Sequence, residues 1–215
     1  MKVHDISMEI YKNMKNYPGE TKYRTKKIFD ISMGDQGNSS ELIISSHMGT
    51  HIDTLSHVTE VTNKLDNMDT ILLGEAIVIE FGKNEKIKID IIKKLGNQII
   101  NKFLILKTKN SFIRKNGDID VNDYLRIDIK LANYLSEKKI LGVGLDCLSI
   151  GNKEVHLKLL KHNIKIIEGL ELKNVKKGEY FFICLGLRFK QMDGIPARAI
   201  LIEDLIDDEK LTDIT

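Results

Sequence analysis

Apolar residues in this chain come in short runs separated by charged and polar stretches, and their spacing predicts more strands than helices. Residues 25–32 and 41–46 are rich in β-branched and apolar side chains and read as strands. The runs at 75–81, 103–107, 140–145, 164–167, 180–185 and 197–202 are short and apolar, as expected of buried strands. Two segments change period. Over 127–138, Ile127, Leu131, Tyr134 and Leu135 fall on one stripe with charges opposite, and over 152–162, Val155, Leu159 and Leu160 do the same. Strands alternate with helices only in the second half. The expected fold class is therefore α/β: a mixed, strand-rich single domain over 1–215, with βαβ units towards its end. The stretch 34–40, rich in Gly, Asn and Ser, reads as one loop.

Composition narrows the function classes. The 215 residues are 42% hydrophobic and 30% charged, an ordinary globular balance that argues against long disorder. Thirty-three Lys and Arg against 31 Asp and Glu leave a net charge of +2, too little for a dedicated nucleic-acid binder. No apolar run approaches the roughly 20 residues of a membrane span, and the first ten residues carry charges where a signal peptide would be apolar. A cytoplasmic protein without membrane or nucleic-acid partners is expected. Cys147 and Cys184 are far apart, outside any C-x-x-C pair and in apolar surroundings, so they read as inert buried thiols.

Candidate chemistry concentrates at 47–57. Three of the chain's six histidines fall there, as His47, His51 and His57, with Asp53 between them. Imidazole and carboxylate together suit Zn²⁺ or Mn²⁺. All four residues have odd numbers, so an extended chain aims them to one side, yet a strand would hold His47 and His57 roughly 33 Å apart. A helix would bring His47 to His51 and turn Asp53 away. The chain must fold back, and Gly49 can supply the positive φ or close approach that this needs. The expected picture is a strand that ends at His47, a loop that curls round a cation, and Thr50 hydrogen-bonded to a ligand. The competing reading is a surface or polar-core histidine cluster without an ion.

The pattern His47-x-Gly49-Thr50-His51-x-Asp53-x-x-x-His57 resembles the H-x-G-T-H-x-D-x-P-x-H signature of the cyclase family, with Leu55 in place of the proline. Tyr17-Pro18-Gly19-Glu20 resembles that family's aromatic-Pro-Gly-acidic turn. Val143-Gly144-Leu145-Asp146 resembles its strand ending in Gly-x-Asp, and Met192-Asp193-Gly194-Ile195-Pro196-Ala197-Arg198-Ala199 its D-G-x-P-x-R-A stretch. The resemblance implies a swivelling β/β/α fold and a metal site completed by a His and a Glu twelve residues apart, a spacing met by His156 and Glu168. Read without it, Glu168 at the end of an apolar run needs a partner, either a cation or a salt bridge, and His156 would default to a solvent-facing helix position.

By the same resemblance, one ion is held by His47, His51, Asp53 and Glu168 and a second by Asp53, His156 and Glu168, two zinc ions per subunit with manganese as the alternative. His57, just beyond that set, is the expected general acid/base, with a further ligand or an orienting group as the other readings. The implied reaction is hydrolysis of a small-molecule amide by metal-activated water, with arylformamidase (N-formyl-kynurenine to kynurenine and formate, a step of tryptophan catabolism) leading. The alternatives are a hydrolase of another linear or cyclic amide, as in isatin hydrolase, and a non-catalytic metal-stabilised binding module. Tyr17 stands where kynurenine formamidases carry a tryptophan and is expected to stack on the substrate ring. No G-x-S-x-G nucleophile motif is present. A homodimer or homotetramer is implied.

Overall fold

The computed structural model describes residues 1–14, 17–60, 70–82, 85–113 and 124–203. Among these residues the strands are β1 Lys2–Asp5, β2 Arg24–Phe29, β3 Ser39–Ile43, β4 His51–Asp53, β5 Ile71–Glu80, β6 Phe103–Lys107, β7 Gly142–Leu145, β8 Lys165–Glu168, β9 Gly178–Gly186 and β10 Gly194–Glu203. The α-helices among them are α1 Ile89–Lys93, α2 Asn110–Ile113, α3 Ile129–Glu137 and α4 Lys153–Lys161. Among the described residues no helix is long and apolar enough to cross a membrane.

Eight strands form one sheet in the order β1-β10-β4-β8-β7-β6-β5-β9, and β9 also pairs with β10, so seven of them close into a barrel. Strands β5, β6, β7 and β8 run parallel. Closure falls to β10, whose first residues pair with β4 (Gly194 with Asp53, Pro196 with His51) while 197–202 pair with β9 on its other edge. Among the described residues, strands β2 and β3 pair only with each other, as a separate hairpin.

Alternation along the strands sorts side chains between two cores. Ile52, Val78, Ile105, Ile167, Phe182 and Leu201 belong to a cluster drawn from the strands around the barrel, which places it inside. Their neighbours Ile77, Ile79, Leu104, Leu106, Val143 and Ile166 point outward and pack with Leu131, Leu135, Val155 and Leu159 of α3 and α4. This pattern positions the site. Ile52 and Ile167 face the interior, so His51, Asp53 and Glu168 face outward, towards α4.

The helical stripes read from sequence are found, with boundaries set by caps. Asp128 accepts from Leu131 N at 2.8 Å and Asn152 from Val155 N at 3.0 Å, so the helices begin at Ile129 and Lys153. The expected strand over 25–32 stops at Phe29, because Asp30 caps a short 3-10 turn, Ile31–Met33. The strand expected to end at His47 ends at Ile43, and the histidine stretch contributes a strand of its own, β4.

Candidate metal centre and its cleft

Register brings the two halves of the chain together: β4 runs antiparallel to β8 with His51 opposite Glu168 and Asp53 opposite Ile166. His156 arrives from the first turn of α4, next to Val155 in the core stripe, and is therefore 2% exposed rather than facing solvent. His51 and Asp53 are completely buried, and Glu168 is 2% exposed.

These side chains converge. His51 Nε2 lies 3.3 Å from Glu168 Oε2 and 3.5 Å from Asp53 Oδ1. His156 Nε2 lies 3.3 Å from Asp53 Oδ2 and 3.2 Å from Glu168 Oε1. His47 Nδ1 lies 3.1 Å from Asp53 Oδ1. Yet His51 Nε2 and both Asp53 oxygens are buried without a hydrogen-bond partner. Buried polar atoms are rarely left so, and a shared cation is the partner that two carboxylates and three imidazole nitrogens suit. Donor atoms of His47, His51 and Asp53 all lie within 4.8 Å of one another, as do those of Asp53, His57 and His156.

Neighbouring backbone fixes each ring. His51 Nδ1 is 3.0 Å from Gly49 O and His156 Nδ1 is 2.9 Å from Asn152 O. With Nδ1–H donating to those carbonyls, each Nε2 is turned to the site. Ile150 N donates to Glu168 Oε1 at 2.6 Å. Thr50 does not hold a ligand as expected: its hydroxyl donates to Gly169 O at 2.6 Å and accepts from Met8 N at 2.7 Å, tying the loop before β4 to the end of β8. Gly49 has the anticipated positive φ, 69°, and Gly169, also at positive φ, packs so closely that a Cβ there would lie 2.1 Å from Gly49 O. A Cβ at Gly194 would lie 2.6 Å from the His47 ring, so only glycine lets β10 pass beneath that imidazole.

Electrostatics follow from burial and charge pairing. Burial opposes a charge on His51 and His156, but the carboxylates of Asp53 and Glu168 outweigh it and raise both to about 10 without an ion. Burial would lift Asp53, yet the three imidazoles around it hold it well below the usual carboxylate range. Glu168 is pushed up by burial and by Asp53, and His156 and His51 bring it below its ordinary value. His57 behaves oppositely. Burial, with His47 and His156 nearby, lowers its pKa despite Asp53 and Glu168.

The site opens into a cleft of about 590 Å³. His47, His57, His156 and Glu168 form its inner wall and Tyr17, 41% exposed, part of its rim. His57 rides on a short 3-10 turn, Leu55–His57, closed by His57 N donating to Thr54 O at 3.1 Å. Its ring centroid lies 4.2 Å from that of His47 and 5.3 Å from that of His156.

Comparison with known proteins gives this geometry a family. The Cyclase family model matches residues 4–152. The chain belongs to the cyclase family. A kynurenine formamidase of Bacillus thuringiensis (strain Al Hakam) is 32% identical over 203 residues, covering 92% of this chain and 95% of that one. A structure described as a predicted metal-dependent hydrolase from Bacillus stearothermophilus has a TM-score of 0.76 and 30% identity, covering 93% of this chain and 97% of that one. Isatin hydrolase A from Ralstonia solanacearum shares the fold at a TM-score of 0.75 and 16% identity, covering 94% of this chain and 92% of that one. The expected cyclase-like α/β fold is thus found.

In this cyclase-family chain two further residues stand outside the sequence-derived set. Asp193, inside the quoted D-G-x-P-x-R-A stretch, places Oδ2 3.3 Å from His47 Nε2, while its carbonyl accepts from Thr54 N at 3.0 Å. Arg126 lines the cleft and has no sequence signal. Two motif residues lie elsewhere. Asp146 is buried and accepts from Thr108 N and Ser111 N at 2.8 and 3.0 Å, stitching β7 to α2. Arg198 pairs with Asp5 between β10 and β1.

Proposed function

We propose that this chain is a metal-dependent arylformamidase that hydrolyses N-formyl-kynurenine to kynurenine and formate. The observation that carries the reading is the buried face where β4, β8 and α4 gather imidazoles round Asp53 and Glu168, with both Asp53 oxygens and His51 Nε2 unsatisfied, beside a cleft edged by one more histidine. His47, His51, Asp53 and Glu168 would hold one ion and Asp53, His156 and Glu168 a second, zinc with manganese as the alternative. Such an ion supplies Lewis-acid polarisation of an amide carbonyl and acidifies water.

The chain's own groups divide the remaining work. His57, with a pKa below the ordinary imidazole value, is neutral near pH 7 and accepts a proton from the attacking water. It then returns that proton to the departing aryl nitrogen. Tyr17 offers a ring face at the rim for an aromatic substrate. Asp193 orients His47. A homodimer or homotetramer in the cytoplasm completes the proposal. The exposed Ile28, Phe29, Ile31, Met33 and Leu42 on and beside the β2–β3 hairpin support self-association, and the free buried cysteines suit a reducing compartment.

The test is metal analysis of untagged protein, followed by hydrolysis assays with N-formyl-kynurenine, isatin and simple lactams before and after chelation. Bound zinc or manganese and chelator-sensitive turnover of N-formyl-kynurenine above the other substrates are expected. Metal with turnover of isatin or a lactam instead would move the assignment to cyclic amides. Metal with no turnover would favour a binding module.

Metal binding should release protons. An imidazole raised to about 10 carries its proton at neutral pH, and an ion takes the neutral form. In the ion-free protein these raised values stabilise the fold fully below the ordinary pKa of 6.5, and that contribution is lost as pH rises through about 10. Zinc titration calorimetry in buffers of different ionisation enthalpy should show protons released on binding at pH 7, with tighter binding at higher pH. Binding independent of pH between 6 and 8 would contradict the pairing.

A further inference from the structure

The cleft is not uniformly a metal vestibule. Arg126 and Lys153 line the wall that continues from His156, together with Ser149, Gly151 and Asn152. Arg126 is half-buried, and its Nε is fully enclosed. A guanidinium presents five N–H donors in a planar fork that matches the two oxygens of a carboxylate.

The backbone on both sides of this arginine is pinned. Asn110 grips Leu125 twice, its Oδ1 accepting from Leu125 N at 3.1 Å and its Nδ2 donating to Leu125 O at 3.3 Å. Ile127 N donates to Ile150 O at 2.9 Å. Asn110 is itself set by its N–H donating to Thr108 Oγ1 at 3.1 Å and by Nδ2 3.4 Å from Asp146 Oδ1. Tyr124 and Ile127 are buried. A flexible cation at the protein surface would not need such a mount, whereas a fork that must meet a planar anion in one orientation does.

We infer that Arg126 is a specificity-determining residue, which receives the carboxylate of an α-amino-acid tail on the substrate while the amide end lies at the histidine cluster. This rests on the arylformamidase reading above and deepens it: the preferred substrate class is an N-formyl arylamine bearing a carboxylate, rather than any aryl formamide. Lys153, the first residue of α4, adds positive charge to the same wall. Glu20 and Glu60, which line the cleft as well, would disfavour an anion placed at random in it, so recognition depends on the fork itself.

The experiment compares N-formyl-kynurenine with N-formyl-kynuramine, which differs only in lacking the carboxylate, using metal-loaded wild type, Arg126→Ala and Arg126→Lys. Arg126→Ala should raise KM for N-formyl-kynurenine about 10- to 100-fold with kcat nearly unchanged, and leave KM for N-formyl-kynuramine as it was. Arg126→Lys should recover part of the loss. Calorimetric binding of the product kynurenine should weaken by a similar factor in Arg126→Ala, and binding of kynuramine should not. Equal effects on both substrates, or none on either, would overturn the inference while leaving the arylformamidase reading intact. If wild type turned over neither compound, that reading would fail and the inference with it. Melting curves identify an Arg126→Ala protein that has lost its fold, in which case the partial rescue in Arg126→Lys and the kynurenine-to-kynuramine contrast in wild type decide.

Discussion

Replacing Asp53 by alanine should abolish both metal content and hydrolysis, with activity falling about 10³-fold or more. Asp53 is fully buried, it stands within 3.5 Å of three imidazoles, and both its oxygens lack a hydrogen-bond partner. Without it His47, His51 and His156 face one another with only Glu168 at the centre to balance them. The ion-free protein should then lose stability, by about 3 kcal/mol, because a buried charge cluster loses one of its counter-charges. Asp53→Asn keeps the shape and removes only the charge, so it separates electrostatics from packing: it should lose metal with a smaller drop in melting temperature. His162→Ala, an exposed position at the far end of α4, should change neither quantity. Metal analysis, melting curves and turnover on the same preparations check all three. Full metal content in Asp53→Ala would show that the carboxylate is not part of the site.

His57→Ala should behave differently, keeping its metal and losing about 10²- to 10⁴-fold in kcat. The side chain borders the cleft and sits on a turn distinct from the strand that carries His51 and Asp53. Its lowered pKa is what a proton acceptor near neutrality needs, since partial desolvation, with His47 and His156 nearby, disfavours the imidazolium. Its position also allows another role. Donor atoms of His57 group with those of His47 and Asp193, and with those of Asp53 and His156. Parallel measurement of metal content and kcat distinguishes the two. Loss of metal in step with loss of turnover would make His57 a ligand, and retention of both would remove it from the mechanism.

The sequence made visible whatever depends on local period. The alternation His51, Ile52, Asp53 announces two polar groups on one face and an apolar one on the other, and the barrel uses it in that way. The stripes of α3 and α4 were equally plain. Pairing between distant strands was not. That Glu168 stands opposite His51 is a fact of register between β4 and β8, which no local pattern encodes; the resemblance implies only that the two belong to one ligand set. Strand β4 itself has three residues, two of them polar, too few to stand out as a strand by composition. The same brevity hid α1 and α2, with five and four residues. His156 read by itself suggested a solvent-facing position. It is buried because α4 lies against β8, so the residue beside the core stripe meets carboxylates instead of water. Arg126 carries no motif, and only the folded cleft shows that it shares a lining with the histidines.

Anomalous diffraction from crystals grown with zinc should decide whether these side chains hold an ion. A peak is expected between Nε2 of His51 and the carboxylates of Asp53 and Glu168, with ligand distances of about 2.0–2.2 Å. A density map with no ion there, and with the two carboxylates turned apart, would contradict it.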